Sequence, residues 1–382
     1  MQPLIGLSYQ PADADEKGLW QSLERFEEEL ASSNLVFDAP DMHSYVVRVM
    51  RKLLGDRAKD TRVYLVHDAS FNASMAPNGM MIVQSGLLAR VRNEAQLAAV
   101  LGHESGHYLR RHSIAQFRDR ERKTAVMAFV SAGAGVLAGV SYGYGADGRS
   151  WIDLANSING GILSSIFRFS RDQESEADAF GLRLLDEAGY SPDAAASMWA
   201  QLIEERRASA AARSKRYRDN ARSEFSTHPP SEARMLDLTA SAREVSAVFV
   251  PGRQYSDGRA EWLSAVAPIR GALLEEQIKQ NDPGASLYLV NALASDGWDG
   301  TLRFFEGEVF RLRDAPGDAA NAARAYAAAI EMPEAPPEAW RAHGYGLVKI
   351  GRADEGHRAL ARYLELKPNS SDAAMIRFTL AQ

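Results

Sequence analysis

Apolar positions recur every three to four residues over residues 16–59, a period that predicts two amphipathic helices. In "EKGLWQSLERFEEELASS" Leu19, Leu23, Phe26 and Leu30 share one face, and in "PDMHSYVVRVMRKLLGD" Tyr45, Val49 and Leu53 do the same. The pattern then changes to short apolar runs of strand length, "RVYLVHD" (62–68) and "GMMIVQSG" (79–86). Between them lies "SFNASMAPNG", in which Pro77-Asn78-Gly79 is a turn signal. Helical periodicity returns in "SGLLARVRNEAQLAAVLGHESGHYLRRHSIAQF" and dominates beyond Glu174. Short strands followed by helices indicate an α+β, mainly helical fold with a small antiparallel sheet.

The C-terminal third carries a weak internal repeat. "EAWRAHGYGLVKIGRADEGHRALARYLELKPNS" places Trp340, Gly344, Leu347, Gly356, Leu360 and Pro368 at the spacings of a tetratricopeptide helix–turn–helix unit. "TLRFFEGEVFRLRDAPGDAANAARAYAAAIEMPEAPPEAW" reads as the same unit, with Gly307 at the place of Gly344. Such units bury their faces only by stacking, so 269–297 is expected to supply an adjoining helix pair and "SSDAAMIRFTLAQ" a cap. The expected organisation is therefore a first domain at 1–268 and an all-α tetratricopeptide-like repeat domain at 269–382. Its concave surface would take a protein partner.

Composition narrows the chemistry. Of 382 residues, 46% are hydrophobic and 25% charged, as in ordinary globular chains with a real core. A net charge of −6 gives no reason to expect nucleic acid. With no cysteine, disulfides, thiolate catalysis and cysteine zinc sites are excluded, which leaves His, Asp and Glu as metal ligands. The N-terminus has neither the basic region nor the apolar core of a signal peptide, so the chain is expected either to be cytoplasmic or to lack a removed targeting segment. From Thr124 to Ala146 there is no charge over a length that could span a bilayer, but Gly, Ala and Ser keep its apolarity modest. Packing against protein is the expectation there, with peripheral membrane contact as the alternative. The basic run between Arg206 and Arg222 reads as a solvated helix face.

In "LGHESGHYLRRH" His103 and His107 stand four residues apart, on one helix face, where both imidazoles reach a single zinc ion. Glu104 is rotated by about 100° from His103, placed to address a water rather than to ligate. A catalytic zinc needs a third protein ligand and an open position. Residues 110 and 113 are Arg and Ser, so no histidine follows at the place the longer zinc motif requires. His112 lies about 140° off the metal face of a continuous helix. The better candidate is in "SRDQESEADAFG" (170–181), where Glu174 would ligate and Asp178, one turn on, would bond a ligating histidine. Glu176 competes, but residue 180 is Phe, so it has no acid one turn on.

"NASMAPNGMMIVQSGLLARVRNEAQLAAVLGHESGHYLRRH", "SRDQESEADAFG" and "STHPPSEAR", in that order, resemble the membrane-associated zinc peptidases that include HtpX, BepA and the CAAX prenyl protease, over roughly residues 16–240. The trailing repeats are similar to the BepA branch. The resemblance implies a zincin-type peptidase domain with one zinc ion held by His103, His107 and Glu174. Glu104 would be its general base. His228 would donate to the oxyanion or close the open zinc position, unless it merely caps the turn before Pro229-Pro230. Arg234 would orient that segment or bind a carboxylate. Asn72, Ala73, Ser74 and Met75 are the expected edge on which a substrate adds as an extra strand. The implied activity is endoproteolysis of misfolded or misassembled envelope proteins in the periplasm or cell envelope. The rival reading is a chaperone or assembly scaffold whose zinc site is dormant or shut by His228.

Overall fold

The computed structural model describes residues 9–119, 169–219, 232–247 and 254–381. Contacts divide the chain into two units, residues 1–203 with 218–273 and residues 204–217 with 274–382.

The first unit begins with helices α1 (Ala14–Ala31) and α2 (Pro40–Leu54). The Asp13 carboxylate caps α1 by accepting the Glu16 N–H at 2.9 Å. Leu19, Leu23, Phe26 and Leu30 are buried along it, and α2 starts on Pro40 and buries Tyr45, Val49 and Leu53. The helical period of this region is thus the period of its core.

Three strands follow: β1 (Arg62–Val66), β2 (Ala73–Met75) and β3 (Met80–Gln84), in the spatial order β1-β3-β2. β3 is antiparallel to β2 but parallel to β1, so the sheet is mixed where an antiparallel one was expected. The cause is topological. The Pro77-Asn78-Gly79 turn folds β3 back on β2, and the chain between β1 and β2 reverses direction once before that. β3 is thereby returned to the direction of β1 and inserted beside it. Gly79 has φ 88°, and a Cβ there would lie 2.1 Å from the Asp60 carbonyl oxygen, so only glycine fits the turn. All five β3 residues are buried, as befits a central strand covered on both faces.

Next come α3 (Ser85–Arg90), α4 (Glu94–Leu109) and a helical stretch at 112–119. They are followed by α5 (Arg171–Glu187), α6 (Asp193–Ala212), α7 (Glu232–Ser246), α8 (Arg259–Val266) and α9 (Arg270–Lys279). A core of Leu23, Phe26, Leu30, Val66, Met80 and Ile82 joins α1 to the sheet and extends to Ile114 and Phe117. α4 packs along α5, and α7 also packs on α5.

The second unit takes in α9 from Leu274 on, then α10 (Pro283–Leu293) packed on α11 (Gly300–Arg313), α11 paired with α12 (Asp318–Ile330), α13 (Pro337–Lys349) with α14 (Ala353–Leu366), and α15 (Ala373–Leu380) on α14. Gly307 faces the Tyr326 ring and Gly344 faces Leu360 and Gly356, so both repeat glycines lie where the paired helices meet. This unit starts at Leu274 rather than 269 and also takes in Glu204–Tyr217. There Ser209 Oγ and Arg213 Nη2 bond the carboxylate of Asp282, which caps α10. A continuous helix such as α6 shows no sequence signal where its allegiance changes. Among the described residues no helix is long and apolar enough to cross a membrane. The uncharged stretch 124–146 lies outside the described residues.

Candidate metal centre

Asn93 caps the start of α4 by accepting the Gln96 N–H at 2.8 Å, and the helix carries His103, Glu104 and His107 near its C-terminal end. Ser170 and Gln173 form a reciprocal capping box at the start of α5, which puts Glu174 in that helix's first turn. The two helices meet through small residues. A Cβ on Gly102 would be 3.5 Å from Gly181 Cα, one on Gly106 3.0 Å from the Ala177 carbonyl oxygen, and one on Gly181 3.0 Å from the His103 nitrogen. That approach brings the histidines of one helix to the carboxylates of the other.

His103 Nε2 and His107 Nε2 are 3.1 Å apart. Glu174 Oε2 lies 3.5 Å from the first and Glu174 Oε1 3.6 Å from the second. A tetrahedral zinc with bonds of about 2.0–2.1 Å separates its ligand atoms by about 3.4 Å, and one donor atom from each residue lies within 4.8 Å of the other two, so a small shift of the Glu174 carboxylate completes the set. Two imidazoles and one carboxylate are also a zinc-type donor set rather than the all-oxygen set of magnesium or calcium. The residues fit a zinc ion.

Each histidine is held from behind. His103 Nδ1 donates to Asp178 Oδ1 at 2.8 Å, which leaves its Nε2 lone pair for the metal. Arg234, on α7, binds Asp178 in bidentate fashion at 2.9 and 2.7 Å and reaches Glu174 Oε2 at 3.0 Å, with its guanidinium 4.5 Å above the Trp199 ring. Burial raises the Asp178 carboxyl, but Arg234 and His103 outweigh it and hold the group well below the ordinary carboxylate range. His107 stacks on Phe169 with ring centroids 3.7 Å apart, and its Nδ1 is 2.9 Å from His112 Nδ1. His112 Nε2 lies 3.3 Å from Glu176 Oε2. Burial pushes the His112 imidazole below its usual range, against the pull of Glu176.

Glu176, the competing ligand of the sequence reading, thus faces His112 and Arg110, while Glu174 faces both zinc-binding nitrogens. His112 was set aside as the remainder of the helix. The structure places it against His107, because α4 ends at Leu109 and Arg111 takes a left-handed φ of 58° before the helix resumes. The absence of a partner for His107, once Asp178 was matched to His103, was the one available signal. Arg234, for which binding a carboxylate was one of the two expected roles, joins α7 to the carboxylates of Asp178 and Glu174 on α5. His228 itself lies outside the described residues.

Glu104 is 3% exposed and lines a recess together with His103, Ala99, Leu185, Met198 and Trp199. Asn72 and Ala73 border the same recess. β2 is the edge of the sheet by topology, yet Asn72, Ala73, Ser74 and Met75 are 5%, 3%, 1% and 1% exposed, so the edge is covered in this conformation.

A model of peptidase family M48 matches residues 38–242. The beta-barrel assembly-enhancing protease of Yersinia pestis is 26% identical over 219 residues, 56% of this chain and 42% of that one. The mitochondrial metalloendopeptidase OMA1 of Schizosaccharomyces pombe is 30% identical over 163 residues, 41% of this chain and 43% of that one. The metalloprotease YcaL of Escherichia coli is 32% identical over 167 residues, 43% of this chain and 60% of that one. The chain spans about half the length of the curated relatives it matches.

Proposed function

The chain belongs to peptidase family M48, and from that premise we propose that it is a zinc-dependent endopeptidase acting on unfolded or misassembled polypeptides of the cell envelope. The observation that carries the reading is the convergence of one ligand atom each from His103, His107 and Glu174 within 4.8 Å, with Glu104 beside them facing an apolar recess. When bound there, zinc supplies a Lewis acid for the scissile carbonyl and an acidified water. Glu104, beside the three ligands, would hold the proton released in hydrolysis on a carboxylate oxygen and deliver it to the leaving amide nitrogen. Asp178 keeps the His103 proton on Nδ1, and Arg234 keeps Asp178 ionised. His228 is assigned to the developing oxyanion or to closure of the resting site.

The recess beside Glu104 suits an apolar side chain next to the cut bond, which unfolded chains expose. Main-chain pairing with β2 would make recognition tolerant of sequence, once the cover over that edge moves. The relatives named for β-barrel assembly support misassembled outer-membrane proteins as substrates. We assign protein-partner binding to the tetratricopeptide-like helices; for 124–146 packing against protein stays the expectation, with peripheral membrane contact as the alternative.

The test is cleavage of casein and of an unfolded outer-membrane protein by the purified zinc-loaded chain, with and without His228→Ala. Zinc- and Glu104-dependent cleavage supports the reading. No cleavage by either form, with zinc bound, favours an assembly scaffold whose site is dormant.

A further inference from the structure

The contacts behind His103 are matched by a second set behind His107, and nothing in the endopeptidase reading assigns it. For His107 to offer Nε2 to a metal, its ring proton must sit on Nδ1. That proton then points at His112 Nδ1, 2.9 Å away, which must accept it. The His112 proton is thereby confined to Nε2, which faces Glu176 Oε2 at 3.3 Å, and Arg110 Nε stands 3.1 Å from the other Glu176 oxygen. One proton arrangement gives both imidazoles of this row a donor–acceptor match. His107 is 0% and His112 4% exposed, so water does not substitute for either partner. The turn that delivers His112 is itself tied down. Arg111, at its left-handed φ, bonds Glu16 Oε1 at 2.8 Å, and Glu16 is fully buried and also takes Arg118 Nη2 at 2.7 Å.

We propose that His112, backed by Glu176, is a positioning residue that fixes the tautomer and ring orientation of His107 and so tightens the metal centre. The pair does not ligate. It does for His107 what Asp178 and Arg234 do for His103, through an imidazole in place of a carboxylate.

The proposal rests on the reading of His107 as a ligand, and the experiment separates the two. Zinc affinity of the purified full chain is measured by competition with a chromogenic chelator, alongside the melting temperature of the metal-free protein. His112→Phe, of similar bulk but with no acceptor, is expected to weaken zinc by about 10- to 100-fold, the usual effect of removing such a partner. His112→Asn, whose amide oxygen stands near the position of Nδ1, is expected to recover most of the loss. Glu176→Gln, at a partly exposed position, lowers affinity by a smaller factor. A metal-free melting temperature close to wild type for the Asn and Gln variants shows that packing is intact, so those two decide the matter even where His112→Phe fails to fold. Wild type that binds zinc, with His112→Phe within about twofold of it, or, where that variant does not fold, with Glu176→Gln indistinguishable from it, overturns the proposal alone. Equal losses in His112→Phe and His112→Asn overturn the acceptor role. Wild type that binds no zinc overturns the metal reading and this inference with it.

Discussion

Placing a methyl group at each of the three helix-crossing glycines separates local from global demands on the centre. Alanine in place of glycine inside a helix stabilises by about 1 kcal/mol through backbone entropy alone. At Gly102 the new Cβ would meet Gly181 at 3.5 Å, ordinary van der Waals contact, so Gly102→Ala should retain that gain. At Gly181 it would meet the His103 nitrogen at 3.0 Å and His103 Cα at 3.2 Å, and at Gly106 it would meet Ala177 oxygen at 3.0 Å and Ala177 Cα at 3.1 Å. These neighbours are backbone and cannot rotate aside, so α4 and α5 must part by a few tenths of an ångström. Overpacking of this kind costs about 1–3 kcal/mol, which cancels or exceeds the propensity gain. The same displacement opens the His103–Glu174 and His107–Glu174 distances, now 3.5 and 3.6 Å, while leaving the two histidines 3.1 Å apart on their common helix. Gly102→Ala should therefore raise the urea midpoint of the metal-free chain and keep wild-type zinc affinity. Gly106→Ala and Gly181→Ala should leave the midpoint unchanged or lower it, and should weaken zinc. A Gly181→Ala protein that gains as much stability as Gly102→Ala and binds zinc as wild type refutes the close-approach account.

Glu104→Gln should bind one zinc per chain by elemental analysis and lose casein cleavage; wild-type turnover in that variant removes Glu104 from the proton transfer. His103→Ala and Glu174→Ala should lose stoichiometric zinc, and retention by Glu174→Ala means the third ligand has been misassigned. In the second unit, Arg313 bonds Asp318 at 2.7 and 2.6 Å and the Ala315 N–H adds a third bond at 2.9 Å, which together hold that carboxyl at about 2. A carboxyl lowered by folding stabilises the fold above its unfolded value near 4 and loses that contribution as pH falls toward 2. The stability difference between wild type and Asp318→Asn should shrink between pH 4 and pH 2 in urea titrations; a difference that stays constant there means the carboxylate charge contributes nothing.

What the chain discloses unaided depends on how local the determinant is. The α1 and α2 faces, the Pro77-Asn78-Gly79 turn and the pairing of His103 with His107 each depend on residues within a few positions of one another, and each could be read from spacing. The parallel pairing of β1 with β3 could not, since it follows from the path of the chain between strands. The site shows the same division. The His112 ring was placed by extending a helical wheel through residues 110–111, and the wheel fails there because Arg111 adopts a left-handed conformation held by Glu16, some 95 positions earlier. Nothing near residue 111 signals that break.

The acidic run in α5 is where this matters most. Glu174, Glu176 and Asp178 alternate along fewer than two turns, and taken alone they look like a solvated face. Set against α4, each has a separate task. Glu174 supplies the oxygen donor, Asp178 holds His103 directly, and Glu176 holds His107 at one remove through His112. Their different reaches follow from where α4 stops. His103 is deep in the helix, beside Gly181, so a carboxylate on α5 touches it. His107 lies near the helix end, where α4 gives way to the Arg111 turn, and that turn brings the His112 imidazole to its Nδ1. The crossing glycines and the broken helix end are thus parts of one arrangement, in which the closeness of two helices decides which carboxylate can ligate and which can only orient.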